Sequence, residues 1–404
     1  MDVRFWPPLQ LLAYARAALG ILYTFDSETL ASNSYMEQVK EKISTIRIPV
    51  FESSYSHIAS ELTNSTDHQN YLPLPSKIQT KMTHIALELL VEINEWFFIN
   101  EDSLLIYETD FHLRDILSWR SSGVIDRTET ARGLIRNETL NIIHRFLFAC
   151  EYYFEEDAQK LWTNMLECDR LEFRKKWQNN EDKRHWLSAL ENRTTLDWEQ
   201  ITLNARDNEF FITNRKGIPY FLTRVQDKEI RYECIVSCLE ILAMVLSPLD
   251  LYFCLFQLKA NELNDVFTRL PKDLLHNVFE SFLYWPLQII FLDMVNSLKP
   301  YINGEIFCSL TCLLLDKLEC RWQDYEYEEL LKDLWKILSS QYGRFIEKHK
   351  ILNKIVNYVL NSPVPFNIGD FKNFISDVRE KEIKKIDGVD RTFLENFNPW
   401  YIQT

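Results

Sequence analysis

Glycine occurs only eight times in this 404-residue chain, at positions 20, 123, 133, 217, 304, 343, 369 and 388. An average protein uses it for about 7% of its residues. Sheet-rich and α/β folds place glycine in hairpin turns, bulges and phosphate loops, where the backbone must enter positive φ. A chain this short of it, yet rich in Leu, Glu, Lys and Ile, is expected to be helical with short polar turns. Its 46% apolar and 14% aromatic residues supply a large core and exclude wholesale disorder.

Helical periodicity dominates. Helices are expected at 8–24, after Pro7-Pro8, at 34–46 and at 52–63. The polar, Pro-containing stretch ELTNSTDHQNYLPLPSK reads as a loop. Ser76 then opens a long helix in which Ile78, Met82, Ile85, Leu89, Ile93 and Phe97 keep a spacing of 3–4 residues. Further helices are expected at 104–120, after Thr128 or Thr130 as N-cap, at 139–153 and at 155–177. Residues 178–225 read as loops around one short helix at 196–204. Successive helices follow at 229–246, 249–258, 260–269, 271–281, 284–298, 303–319, 325–340, 345–361 and 368–386, with prolines near several ends. Three segments are delineated: an N-terminal helical part (1–66), a helical-hairpin array (67–361) and a C-terminal helix and tail (362–404). Short helices with short turns imply antiparallel neighbours, and such hairpins bury their apolar faces by stacking in line. The expected fold is all-α, an irregular α-solenoid of antiparallel helical hairpins.

The stretch RFLFACEYYFEEDAQKLWTNMLECD (145–169) resembles the two helices of an ankyrin repeat. Phe148-Ala149-Cys150 stands where the small residues belong, and Leu161-Trp162 where the leucine pair belongs. Glu155-Glu156-Asp157 opens the second helix in favour of its dipole. The TPLH turn is absent and the break carries Phe154 with no glycine, so the likeness is to a degenerate, ankyrin-like hairpin. A wider resemblance rests on three blocks: DILSWRSSGVIDRTETARGLIRNETLNIIHRFLFACEYYFEEDAQKLW, ESFLYWPLQIIFLDMVNSLKPYI and CRWQDYEYEELLKDLWKILSSQY. With the LPLP-plus-helix start, they are similar in order and pattern to a large family of uncharacterised proteins expanded in spiders. The likeness covers about residues 70 to 345. It implies family membership and carries over no activity and no site residue.

Composition narrows the function. A net charge of −14 repels a phosphate backbone and an anionic membrane surface, which argues against nucleic-acid and membrane partners and allows a protein partner. The N-terminal MDVRFWPPLQLLAYARAALGILYTF is a poor signal peptide, since Asp2 offsets Arg4 and Arg16 interrupts the apolar run. The most apolar window, Cys234 to Phe256, is broken by Glu240, Pro248 and Asp250. Eight cysteines without a CxxC read as free thiols in a reducing compartment, so a cytoplasmic location is expected. No phosphate loop, HExxH, GxSxG or DDxxD cluster exists, and the eight histidines are scattered, so neither a cofactor nor a metal is expected.

Three candidate surfaces remain. Arg174, Lys175, Lys176, Lys183 and Arg184 are interleaved with Trp177 and Trp186; they read as a solvated loop anchored by the tryptophans in preference to a nucleic-acid clamp. QDYEYEELLKDLW (323–335) combines a core stripe with an acidic face. SPVPFNIGDF (362–371) is similar to the LPxPxxLxxYL end of a SOCS box, with Pro363, Pro365, Ile368 and Phe371 at the matching, partner-binding positions. The expected function is a non-catalytic protein–protein interaction scaffold. The alternatives are a SOCS-box-like substrate adaptor of a cullin ubiquitin ligase, and an enzyme of unrecognised type.

Overall fold

The protein was analysed as a computed structural model, which describes residues 4–25, 35–49, 71–104, 116–178, 180–204, 210–211, 214–241 and 247–383. The helix expected at 52–63, most of that at 104–120 and the end of the C-terminal segment lie outside the described residues. Among the described residues the chain is all-α, with one short ribbon in which β1 (Arg47–Pro49) pairs antiparallel with β2 (Tyr71–Pro73).

The helices are α1 (Leu9–Leu22), α2 (Tyr35–Ser44), α3 (Ser76–Leu104), α4 (Arg127–Arg136), α5 (Ile142–Glu151), α6 (Glu155–Asn164) and α7 (Glu167–Trp177). Next come α8 (Glu181–Asn192), α9 (Trp198–Asn204), α10 (Ile218–Arg224), α11 (Lys228–Ile241), α12 (Pro248–Phe256), α13 (Ala260–Arg269) and α14 (Lys272–Ser281). The last are α15 (Phe291–Ser297), α16 (Gly304–Glu319), α17 (Tyr327–Glu347), α18 (Lys350–Leu360) and α19 (Ile368–Ile383). Neighbours in sequence pack together in the runs α4–α5–α6 and α16–α17–α18–α19.

Several boundaries differ from expectation, each for a local reason. Asp126, not Thr128 or Thr130, caps α4 by accepting from the Glu129 N–H at 3.0 Å; the Thr130 hydroxyl accepts instead from Ser118 N–H at 3.0 Å. The helix expected to run to residue 120 has already ended there, because Trp119 pairs with Ile125 across a tight turn. The helix expected over 155–177 breaks at Met165-Leu166, where Arg170 reaches back to the Trp162 and Thr163 carbonyls at 3.2 and 3.3 Å. Residues 178–225 are more helical than expected: Asn180 caps α8 through the Lys183 N–H at 3.1 Å, and α10 follows. The break expected between 340 and 345 is absent. Helix α17 continues through Gly343, since Leu331, Leu334, Leu338 and Ile346 keep one buried stripe and outweigh a glycine cost of about 1 kcal/mol.

Helix α3 is buried around much of its circumference. Met82, Ile85, Leu89 and Ile93 form the expected stripe, and Ala86, Leu87, Leu90 and Trp96 are buried as well. Helices α1 and α2 pack on it. Gly123, at φ 84, lets the turn before α4 approach α3; a Cβ there would lie 2.8 Å from Leu89 Cδ2. The distant blocks close on this hub. The Trp322 indole donates to Glu88 of α3 at 2.7 Å, and the Trp285 indole donates to the Ser122 carbonyl at 3.0 Å, 163 residues away. The Phe5 N–H donates to the Tyr252 hydroxyl across 247 residues. A one-dimensional stack, in which each hairpin meets only its neighbours, does not account for these contacts. One continuous buried cluster runs from Leu11 to Ile375 and draws on all three delineated segments.

Two local features follow from crowding. Helix α5 ends with Tyr153 at φ 58, with Phe154 N–H on the Ala149 carbonyl and Tyr153 N–H on the Cys150 carbonyl. This is the glycine-type helix ending made by a tyrosine. The buried ring stacks against His185 and Tyr220 and meets Phe221 edge-on, and its hydroxyl donates to Asn214 at 3.0 Å. The glycine is needed opposite it: a Cβ on Gly217 would stand 2.5 Å from the Tyr153 ring. The second is a fully buried carboxyl. Asp324 accepts from the Gln288 amide at 2.8 Å and the Tyr327 hydroxyl at 3.2 Å. Burial, with Glu88 adding to it against Lys317, pushes its pKa up to about 7.

Gly217→Ala is expected to cost about 1–3 kcal/mol, read as a lower denaturant midpoint. In a Tyr153→Gly background that cost falls, because the methyl then has room; an equal cost in both backgrounds would rule out the ring as its cause. Asp324 binds its proton more tightly folded than unfolded, so it lowers stability as pH rises from about 4 to 7. Asp324→Asn, whose amide oxygen still accepts from Gln288 and Tyr327, is expected to flatten the fall in melting temperature between pH 5 and 8. An unchanged slope would show that Asp324 does not titrate there.

Candidate binding cleft

Four parts of the chain form most of an open cleft of about 970 Å³, α4 with the turn before it, the α5–α6 turn, residues 215–224, and α12 with Gln257; Ile99 of α3, Thr195 and Trp198 complete the lining. Six cations line it, Arg120, Arg127, Arg132, Arg136, Lys216 and Arg224, against four carboxylates, Glu155, Glu156, Asp157 and Asp250. Arg120, Arg127, Arg132 and Lys216 also have carboxylate partners outside the lining (Asp126, Glu92, Glu129 and Glu151), so the cationic character rests on Arg136 and Arg224, in a chain whose net charge is −14. The Asp126 cap sets the start of α4, and the helical period then puts Arg132 and Arg136, four residues apart, on one face.

The floor is ionic and buried. Arg127 Nη2 lies 3.3 Å from Glu92 Oε1 of α3, and its Nε lies 3.2 Å from Asp250 Oδ2 of α12. Arg120 Nη2 adds a longer approach to Asp250, at 3.9 Å. Burial pushes Glu92 up to about 7, more than the attraction of Arg127 can offset. Its two carboxylate neighbours in turn raise the pKa of Arg127, so the guanidinium stays charged. Tyr152 beside it is held well above the usual phenol range, again by burial first.

The walls hold cations on aromatic faces. Arg120 lies 4.4 Å over Phe253, Arg132 5.0 Å over Phe154, Arg224 5.3 Å over Tyr220 and Lys216 5.9 Å over Phe148. Lys216 also pairs with Glu151 at 2.7 Å, and Arg132 with Glu129 at 2.5 Å. Among the described residues no carboxylate lies within 4.0 Å of Arg136 or Arg224; one Arg224 N–H goes to the Tyr220 hydroxyl at 2.9 Å. Two of the lining acids are already committed. Glu155 accepts from the Leu196 N–H at 2.9 Å and the Trp198 indole at 3.2 Å, and Asp250 faces the two floor arginines. The arrangement suits an anionic ligand with apolar or aromatic parts.

The structure separates the residues singled out from sequence. Pro363 and Pro365 are exposed, Ile368 is half-buried, and Phe371 is fully buried against Tyr358 and Phe366. They stand at the start of α19, far in sequence from the cleft, and Pro365 and Ile368 line a separate shallow groove with Arg321 and Gln323. Trp177 and Trp186 are buried in the core, as anchors, but they anchor α7 and α8 rather than a loop; Lys175, Lys176 and Arg184 are exposed. In the 323–335 segment Leu330, Leu331 and Leu334 are buried and Trp335 packs on Phe307. His276 Nε2 stands 2.7 Å from Ser309 Oγ, and its Nδ1 3.6 Å from Glu280. Ser309 sits inside α16, where backbone N–H groups are taken up by the helix, so the trio lacks the oxyanion donors an acyl-transfer site needs. Among the described residues no group of three His, Cys, Asp or Glu could hold a metal ion, and no helix is long and apolar enough to cross a membrane.

Sequence reasoning missed the cleft because its cations come from segments spread over residues 120 to 224. One signal was present: three arginines within the ten residues of α4, in an acidic chain.

Arg127→Ala strands two buried carboxylates and is expected to cost about 3–5 kcal/mol in urea unfolding at pH 8. A carboxyl whose folded pKa is raised loses its stabilising share as pH rises through that value, so the deficit should shrink at pH 5, where Glu92 is protonated. An equal deficit at both pH values would remove Glu92 from the account.

Comparison with protein-family models, with curated proteins and with solved structures returned no match.

Proposed function

We propose that the protein is a non-catalytic protein–protein interaction scaffold, and that the cationic cleft receives an acidic segment of its partner. The observation that carries this reading is the pair Arg136 and Arg224, which face the cleft with no carboxylate within 4.0 Å among the described residues. Aromatic faces also hold Arg120, Arg132 and Arg224, and a ring-face contact spends no N–H donor. The committed state of Glu155 and Asp250 supports a binding role over proton transfer. The proposal includes the hairpin-array, ankyrin-like view of the chain, with the cleft as its groove, and a cytoplasmic setting. It also includes the likeness to the spider-expanded family, whose W-R and A-R-x-L-I blocks correspond here to Trp119-Arg120 and Ala131–Ile135.

A fluorescent Glu–Tyr copolymer is a suitable probe of the full chain by anisotropy. Binding should weaken with salt. Arg136→Ala/Arg224→Ala should weaken it about tenfold or more, from the loss of two charge-assisted contacts. Lys175→Ala/Lys176→Ala, on the exposed face of α7, should leave it unchanged. Equal weakening by both pairs, or no binding by the native chain, would sink the cleft reading.

A second reading, the cullin-ligase adaptor, is favoured by one observation. Val364 is 85% exposed between exposed Pro363 and Pro365, on a segment leading from α18 into α19. Phe371 serves the core there, which leaves Pro363, Pro365 and Ile368 as the contact residues. Elongin and cullin subunits recovered by the native chain and lost from a Pro363→Ala/Pro365→Ala/Ile368→Ala chain would establish it. Their absence from both would retire it.

A further inference from the structure

We infer that the acidic segment bound in the cleft presents a phosphoryl group, clamped by Arg132, Arg136 and Arg224. This rests on the preceding assignment of the cleft as the binding site and adds the chemistry of what it binds. Residue choice is the first argument. The chain has 22 arginines and 23 lysines, yet five of the six cleft cations are arginine. Guanidinium presents a planar fork that matches phosphate oxygens two at a time, which an ammonium cannot.

Charge is the second. Glu156 and Asp157 also line the cleft, so a segment acidic along its whole length binds with part of its attraction offset by repulsion from these two acids. A single concentrated dianion avoids that offset. Arg136 and Arg224, the two lining cations with no carboxylate within 4.0 Å among the described residues, match the charge of about −1.5 to −2 on a phosphorylated side chain.

Geometry is the third. Arg132, which also pairs with Glu129, packs over Phe154, and Arg224 packs over Tyr220; side chains already packed lose less freedom on binding a ligand. Arg136, one turn from Arg132, adds a third fork without a protein carboxylate of its own among the described residues. Trp198 and Phe253 supply apolar surface in the same cleft for the residues flanking the phosphate.

The test uses the immobilised full chain and degenerate peptide libraries that differ only at a central residue: phosphoserine, phosphotyrosine, Glu or Ser. At least one phosphorylated library should be retained about tenfold over the Glu library. That retention should be lost in Arg136→Ala/Arg224→Ala, whose circular dichroism and melting temperature match the native chain. Equal retention of the Glu and phosphorylated libraries overturns the phosphoryl assignment and leaves the acidic-segment reading standing. Failure to retain any library overturns both. Retention that survives the arginine variant overturns the placement in the cleft. Inorganic pyrophosphate is the final arm: displacement of the phosphorylated library only at millimolar concentration supports a peptide-borne phosphate. Displacement at micromolar concentration assigns the site to a free phosphate compound and overturns the peptide.

Discussion

The guanidinium of Arg127 stands between two buried carboxylates that belong to different parts of the chain, Glu92 of α3 and Asp250 of α12. Burying any of these charges alone costs several kcal/mol. The three can sit inside the protein only together, so the relative position of α3, α4 and α12 is tied to one ion bridge. One positive charge also cannot fully offset two negative ones. Asp250 has Arg120 as a second partner, whereas Glu92 leans on Arg127 and is left with a raised pKa. The bridge is thus better described as a device that sets geometry than as a large net source of stability.

The same helix that supplies Glu92 supplies Glu88, one turn away, and Glu88 takes the Trp322 indole. Two carboxylates on one face of α3 therefore hold two segments that are far apart in sequence. Trp285 and Phe5 add contacts of the same long range. Stacked hairpins alone have mostly local contacts and can open unit by unit. Here contacts between segments far apart in sequence join the local ones, and one apolar cluster joins α1 to α19. That coupling suits a binding surface, because walls from four parts of the chain must keep their spacing.

An acidic protein builds a cationic cleft by choosing where its carboxylates go. Glu155 is turned onto Leu196 and Trp198, Asp250 onto the floor arginines, and Glu151 onto Lys216. A ring takes the place of an acid as the partner of Arg224, and Arg120 adds the Phe253 face to its approach to Asp250. The remaining negative charge of the chain discourages anions elsewhere, and Arg136 and Arg224 stand as a local exception within the cleft.

Some of this could be read directly from the residues. Scarce glycine and the 3–4 residue spacing of Met82, Ile85, Leu89 and Ile93 specify helices, because turn chemistry and periodicity are properties of short stretches. Caps such as Asp126 were missed where several polar residues compete over three positions, and only the fold shows which hydroxyl is spent elsewhere, as Thr130 is on Ser118. The Pro363–Phe371 segment was singled out by its SOCS-box-like pattern, but the burial of Phe371 depends on Tyr358 and Phe366 from neighbouring elements. Gly217 carries no sequence signal for its role, since the ring it makes room for comes from Tyr153, in another helix pair. The sequence by itself determined the class of fold and most helices, which depend on neighbours a few residues away. Only the tertiary structure decided the cleft, because its charges, rings and buried bridge are brought together from residues that no local pattern connects.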